Sequence, residues 1–254
     1  MQSKIFTGTL AVALAALFGL AHAGFDDLMK SAGGLLDSAS HATGGGASSL
    51  SNAQISAGLK EALSLGAERA VAVLGRSGGF LDDGRVRIPL PGVLGSAAKG
   101  LRAAGQGQYV DEFETAINRA AEQAIPETLG IVQDTVRNMT LQDVQGILTG
   151  GDDAATRFLR ERAGGSLRHA ILPIVSRATD SAGATSAYKS LKAQADGMLG
   201  GLGGLVDTGS LDLDGYVTDK TMDGLFLKLA AEEKSIRTNP AAQTTDILKT
   251  VFSS

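Results

Sequence analysis

Apolar side chains recur every three or four positions through most of this chain, the signature of helices that each bury one face. Ser51, with Gln54 three residues later, forms a capping-box pattern ahead of Ile55, Leu59, Leu63, Ala67, Val71 and Leu74, and Gly75 is the stop signal. A weaker helix is expected from about Val93 to Ala104. Val110, Phe113, Ile117, Ala120, Ala121 and Ala124 then line another face up to Ile125-Pro126. Pro126 suits the first turn of a helix carrying Leu129, Val132 and Val136. Thr140 and Asp143 open Leu141 to Leu148, and Gly150-Gly151 end it. Asp152-Asp153 begin a segment with Phe158, Leu159 and Ala163. A further helix is expected over Ser166 to Ala182, kinked or restarted at Pro173, and a short one over Ala184 to Ala195. Val217, Leu225, Leu229 and Ile236 mark the most helix-like block. Asn239-Pro240 caps a last helix with Ile247, Leu248, Val251 and Phe252. The expectation is an all-α domain of about nine helices.

One segment breaks the pattern. Between Gly78 and Pro91, Phe80-Leu81 and Val86-Arg87-Ile88 flank Asp82-Asp83-Gly84-Arg85. Such an apolar connection is either folded onto the domain or used for contact. The alternation predicts a short β-hairpin turning at Asp83-Gly84, or an ordered loop, with Phe80 and Ile88 buried and Arg85 and Arg87 facing solvent.

At the N-terminus, Lys4, the apolar run Ile5 to Leu20 and Ala21-His22-Ala23 match the three parts of a secretory signal peptide. The expected organisation is a signal over 1–23, a flexible Gly/Ser-rich leader over 24–50, and one helical domain over 51–253 with a glycine-rich insertion at 197–210. Export is expected, to a periplasm or as a secreted protein, without a membrane-spanning segment after cleavage. Lys4 is the only charged residue in 1–23, so removing it takes the net charge from −4 to −5. An acidic chain without a basic block argues against nucleic acid as a partner. With no Cys, stability comes from packing rather than disulfides, and thiolate metal sites are excluded. No Trp and 4% aromatics disfavour stacking platforms for sugars or bases. No cofactor and no metal are expected.

Five patterns suggest chemistry. Gly75-Arg76-Ser77-Gly78-Gly79 matches G-x-S-x-G, but a nucleophile elbow needs a strand running into it, and here a helix does. His169, the sole histidine outside the N-terminal 50 residues, lies within a helical pattern and builds no metal site alone. Ser210-x-Asp212-x-Asp214-Gly215 resembles half a calcium loop without its first Asp and last Glu, so it reads as a helix-capping loop. Asp152-Asp153 after the glycines read as caps that would repel a phosphate. The last block is dense in charge. Glu232, Glu233 and Arg237 are the candidate catalytic residues if they meet each other against Asp219 or Lys220. Phe80, Arg85, Arg87, Asp219 and Lys220 are the candidate ligand or partner contacts.

Several phrases occur together and in order: ALSLGAERA (62–70), GGFLDDGRVRIPLP (78–91), DEFETAINRAA (111–121), LTGGDDAATRF (148–158), and the block from Tyr216 to Phe252 with YVTDKTMDGLF, AAEEKSIRTNP and DILKTVF. In these phrases the chain resembles the bacterial domain-of-unknown-function family DUF4197. The resemblance implies a single domain and an exported protein, and it supplies no activity and no site residues. The functional expectation is a non-enzymatic binding or interaction protein for a protein partner or an apolar small molecule. The competing readings are a carboxylate-dependent hydrolase or lyase using the C-terminal block, and an envelope structural protein.

Overall fold

The computed structural model describes residues 51–181, 184–198 and 212–238. The expected signal, the leader, residues 199–210 of the insertion and the final helix after Asn239-Pro240 lie outside the described residues. What is described is all-α, with no strand among those residues. In chain order the helices are α1 (Asn52–Leu74), α2 (Gly92–Ala103), α3 (Gly107–Ala124), α4 (Thr128–Arg137), α5 (Leu141–Leu148), α6 (Ala154–Ser181), α7 (Ala184–Met198) and α8 (Leu213–Thr238). A 3-10 turn, Ile125–Glu127, joins α3 to α4 around Pro126.

Local signals set most of the boundaries. At Ser51 and at Thr140 the hydroxyl accepts from the backbone N–H three residues on, while that residue's side chain takes the cap's own N–H. These reciprocal bonds satisfy donors that the first turn of a helix otherwise leaves open. α1 ends where expected, at Gly75, whose N–H bonds the Val71 carbonyl.

α6 and α8 lie against each other at the centre. α3 packs on α6, α1 on α8 and α4, and α7 against α3. The core is continuous: Leu59, Leu74, Phe113, Ile117, Leu167, Ile171, Leu225 and Phe226 belong to one buried cluster. Each fully buried side chain of this size contributes roughly 1.5–3 kcal/mol.

The two segments expected around Gly164-Gly165 are one helix, α6, which also runs through Pro173. Burial overrides the local breakers. Ala155, Leu159, Ala163, Leu167, Ile171 and Val175 form one uninterrupted buried face, and that outweighs about 1 kcal/mol for each glycine in a helix interior. Pro173 deprives the His169 carbonyl of its usual donor. His169 is exposed, so water can serve that carbonyl.

Residues 75–91 form an ordered loop, the second of the two forms expected. Phe80 and Ile88 are fully buried, as the alternation predicted. Asp83 does make a turn, its carbonyl accepting from Val86 N at 3.0 Å and Arg87 N at 2.8 Å. The flanks do not pair with each other, because α3 takes their backbone groups instead. We call this segment the strap.

Candidate functional site

Within the C-terminal charged block, Glu233 and Arg237 form a structural clamp. Glu233 is 4% exposed and Arg237 12%. Both Glu233 oxygens are occupied: Oε1 accepts from Ala155 N at 2.9 Å and from Arg237, and Oε2 accepts from Thr156 N at 2.9 Å and Thr156 Oγ1 at 2.8 Å. Ala155 and Thr156 are in the first turn of α6, whose free N–H groups carry the positive end of the helix dipole. Glu233 therefore caps α6 from a different helix. Arg237 donates to the Ile147 carbonyl at 2.9 Å, in the last turn of α5, where the dipole is negative. One i,i+4 pair on α8 thus holds the corner between α5 and α6, with each charge at the end that favours it.

The other members do not join it. Glu232 turns towards Arg69 of α1 at 3.8 Å. Asp219 pairs with Arg168 of α6 at 2.9 Å, and Lys220 with Asp223 at 3.2 Å. Asp219 and Glu233 are 14 positions apart on one helix, roughly 21 Å along its axis. The expected convergence against Asp219 or Lys220 does not occur, because a straight helix cannot bring such distant turns together.

Sequence reasoning missed a second set of polar residues, Glu114, Asn118 and Glu122. They follow one another at i,i+4 along α3, and all are buried. Glu122 Oε1 accepts from Phe80 N at 3.1 Å and Leu81 N at 3.2 Å, while its Oε2 accepts from Arg119 at 2.9 Å. Asn118 accepts from Ile88 N at 2.8 Å and donates to Ile88 O at 2.9 Å and Glu114 O at 2.7 Å. It pairs with Ile88 much as a neighbouring strand would. Glu114 accepts from Arg87 at 2.7 Å and lies 3.4 Å from Arg102 of α2. A hairpin is unnecessary because these side chains satisfy the strap's buried backbone groups. The signal available in the sequence was this polar row beside the apolar face of α3. Such a row reads as solvent-facing until the strap is known to lie over it.

α8 holds the strap from the other side. Lys228 Nζ donates to Asp83 at 2.6 Å, and Tyr216 Oη donates to Pro89 O at 2.9 Å. Hydrogen bonds from Arg85, then the Lys228 ammonium, keep the Asp83 carboxyl well below the usual carboxylate range. Burial raises the Tyr216 phenol, against the nearby Lys220 charge. A Cβ on Gly224 would lie 2.6 Å from Phe80 Cε1, so the ring fills the space that this glycine leaves. Of the expected contact residues, Phe80 is thus a core anchor, whereas Arg85 and Arg87 are exposed.

The remaining motifs serve the backbone. Gly78 has φ +82°, and a Cβ on Gly79 would come within 2.2 Å of Leu74 O, so the turn after α1 requires both. The Ser77 hydroxyl accepts from Arg119. Asp212 Oδ1 accepts from Gly215 N at 2.8 Å and caps α8. Asp214 accepts from Thr179 Oγ1 at 2.9 Å. Ser210 lies outside the described residues. Among the described residues no group of three or more His, Asp or Glu side chains is placed to hold a metal ion, and no helix is long and apolar enough to cross a membrane.

Among the described residues, the roomy pockets are open grooves. The pockets beside Glu233 hold about 10 Å³ each, about the space of one water. An open groove of about 860 Å³ runs between α3 and α7, lined by Gln108, Asp111, Glu112 and Ser190 among others. Another, of about 510 Å³, lies between α4, α5 and α6 around Phe158 and Arg162.

Comparison with curated proteins and with solved structures finds no match. The model of the family described as a protein of unknown function, DUF4197, matches residues 49–253. The chain belongs to the DUF4197 family.

Proposed function

We propose that this is an exported, non-catalytic interaction protein that acts by docking a protein partner on its surface. The state of Glu233 carries the reading. The carboxylate best placed by sequence for acid/base work has both oxygens engaged by five hydrogen bonds from α6 and Arg237. A general base needs a free lone pair and a reacting atom within reach, and the adjoining pockets have no space for a substrate. The open grooves on the surface also favour a protein partner over an enclosed apolar small molecule. The signal-like residues 1–23 support export.

Two measurements test this. N-terminal sequencing of protein recovered from the exported fraction should start at or near Gly24; a chain retained in the cytosol with Met1 or Gln2 at its start refutes export. Cross-linking in the source cells should give one reproducible partner, recovered again when that partner is used as bait. No partner, together with a robust turnover by the purified protein, refutes the interaction reading.

A further inference from the structure

The groove between α3 and α7 follows one stripe of α3, and that stripe complements itself when reversed. Gln108, Glu112, Thr115, Ala116, Arg119 and Gln123 line it in chain order. Taken from the ends inward, Gln108 matches Gln123, Glu112 matches Arg119, and Thr115 matches Ala116, all three pairs sharing one midpoint. The outer pair is two amides, the next is opposite in charge, and the central pair is small. A second α3 laid antiparallel, with a two-fold axis between Thr115 and Ala116, therefore meets a matching group at every step.

The local geometry leaves room for it. From Gln108 to Gln123 is roughly 22 Å along the helix axis, and the groove holds about 860 Å³. Its floor is Ala116, 5% exposed, and its far wall is Ser186, Ala187 and Ser190 of α7. Side chains this small let a second helix approach to roughly the 8–10 Å of packed helices. Glu112 is exposed and, among the described residues, has no polar partner, whereas its neighbour Asp111 is already held by Arg102 at 3.0 Å. Arg119 is 37% exposed and uses one nitrogen, Nη1, for both Ser77 and Glu122. The rest of its guanidinium fork is open to a second carboxylate. A two-fold axis makes that Glu112–Arg119 contact occur twice. The net charge of −4 on each copy opposes association at longer range, which physiological salt screens beyond about 8 Å.

We propose that the α3/α7 groove is the docking surface for a second copy of this chain, with the two α3 helices antiparallel in a two-fold dimer. The inference goes beyond the interaction reading above and does not depend on it. Among the lining residues only Ala116 and Ala187 are apolar, so the dimer is weak and exchanging rather than obligate.

The test is sedimentation equilibrium of the full mature chain and of charge-reversed variants. Glu112→Arg sets arginines against each other at both ends and should weaken dimerisation about tenfold or more. Arg119→Glu should do the same with carboxylates. An equimolar mixture of the two folded variants restores both pairs, and should form the mixed dimer at least as well as wild type forms its own. Because Arg119 also serves Ser77 and Glu122, a second measurement leaves it untouched. The chain has no Cys, so Thr115→Cys puts a lone thiol beside the axis, and mild oxidation should link two chains. Glu61→Cys, exposed on α1, should not link them. Wild type monomeric up to about 1 mM, a mixture that pairs no better than either folded variant alone, or equal linking of the two cysteines overturns the dimer. A monomeric chain that still captures a different protein by cross-linking overturns this pairing and leaves the interaction reading intact.

Discussion

Replacing Glu233 tests the central structural claim, that it is a clamp. Glu233→Ala leaves Ala155 N and Thr156 N without their acceptor at a buried helix start, and it leaves Arg237, 12% exposed, without its carboxylate. Removing one partner of a buried pair costs about 3–5 kcal/mol, because the remaining charge stays desolvated and loses that carboxylate. In a domain of this size each kcal/mol lowers the melting temperature by about 2–4 °C, so a fall of about 6–20 °C is expected. Glu233→Gln keeps one acceptor oxygen but turns an amide NH2 towards the donors that the other oxygen held, and should cost about 1.5–3 kcal/mol. Urea unfolding gives both values, provided the slope of the transition is unchanged. A double-mutant cycle with Arg237→Met should show strong coupling, since the two charges share one corner. If Glu233→Ala costs less than about 1 kcal/mol, the clamp is not what holds α5 to α6, and Glu233 is again open to another role.

Gly224→Ala should destabilise by about 1 kcal/mol. The overpacking against Phe80, about 1–3 kcal/mol, exceeds the helix-propensity gain of about 1 kcal/mol; adding Phe80→Leu should recover the loss, and a stabilised single variant would show that the ring moves freely. Asn118→Leu should cost at least about 2 kcal/mol by orphaning both backbone groups of Ile88. Hydrogen exchange at the Ile88 amide should accelerate more than at Ile117; equal change at both would mean that Asn118 does not secure the strap. Asp83 has a folded value held below its ordinary 3.8. Its contribution is therefore complete above that value and lost as pH falls towards the folded one. Urea midpoints at about pH 5 and about pH 2.5 should differ less for Asp83→Asn than for wild type, and an equal difference would remove Asp83 from the acid response.

The helices were legible because their determinants are local. The Ser51/Gln54 and Thr140/Asp143 boxes join residues three apart, and the apolar rows of α1, α3 and α8 announce their buried faces at helical spacing. Burial of Phe80 and Ile88 was legible from the strap's own alternation. What bonds the strap was not, since Glu122 and Asn118 meet it across 30 to 42 residues. Nor was the role of Glu233, whose partners in α6 lie 77 and 78 positions away. A carboxylate in an i,i+4 pair looks the same in sequence whether it faces water, a substrate or the start of another helix. Periodicity determines which face a helix buries, because burial follows from 3.6 residues per turn. The partner that reaches a polar group on the margin of that face is set by how the helices pack, and only the tertiary structure decided that here.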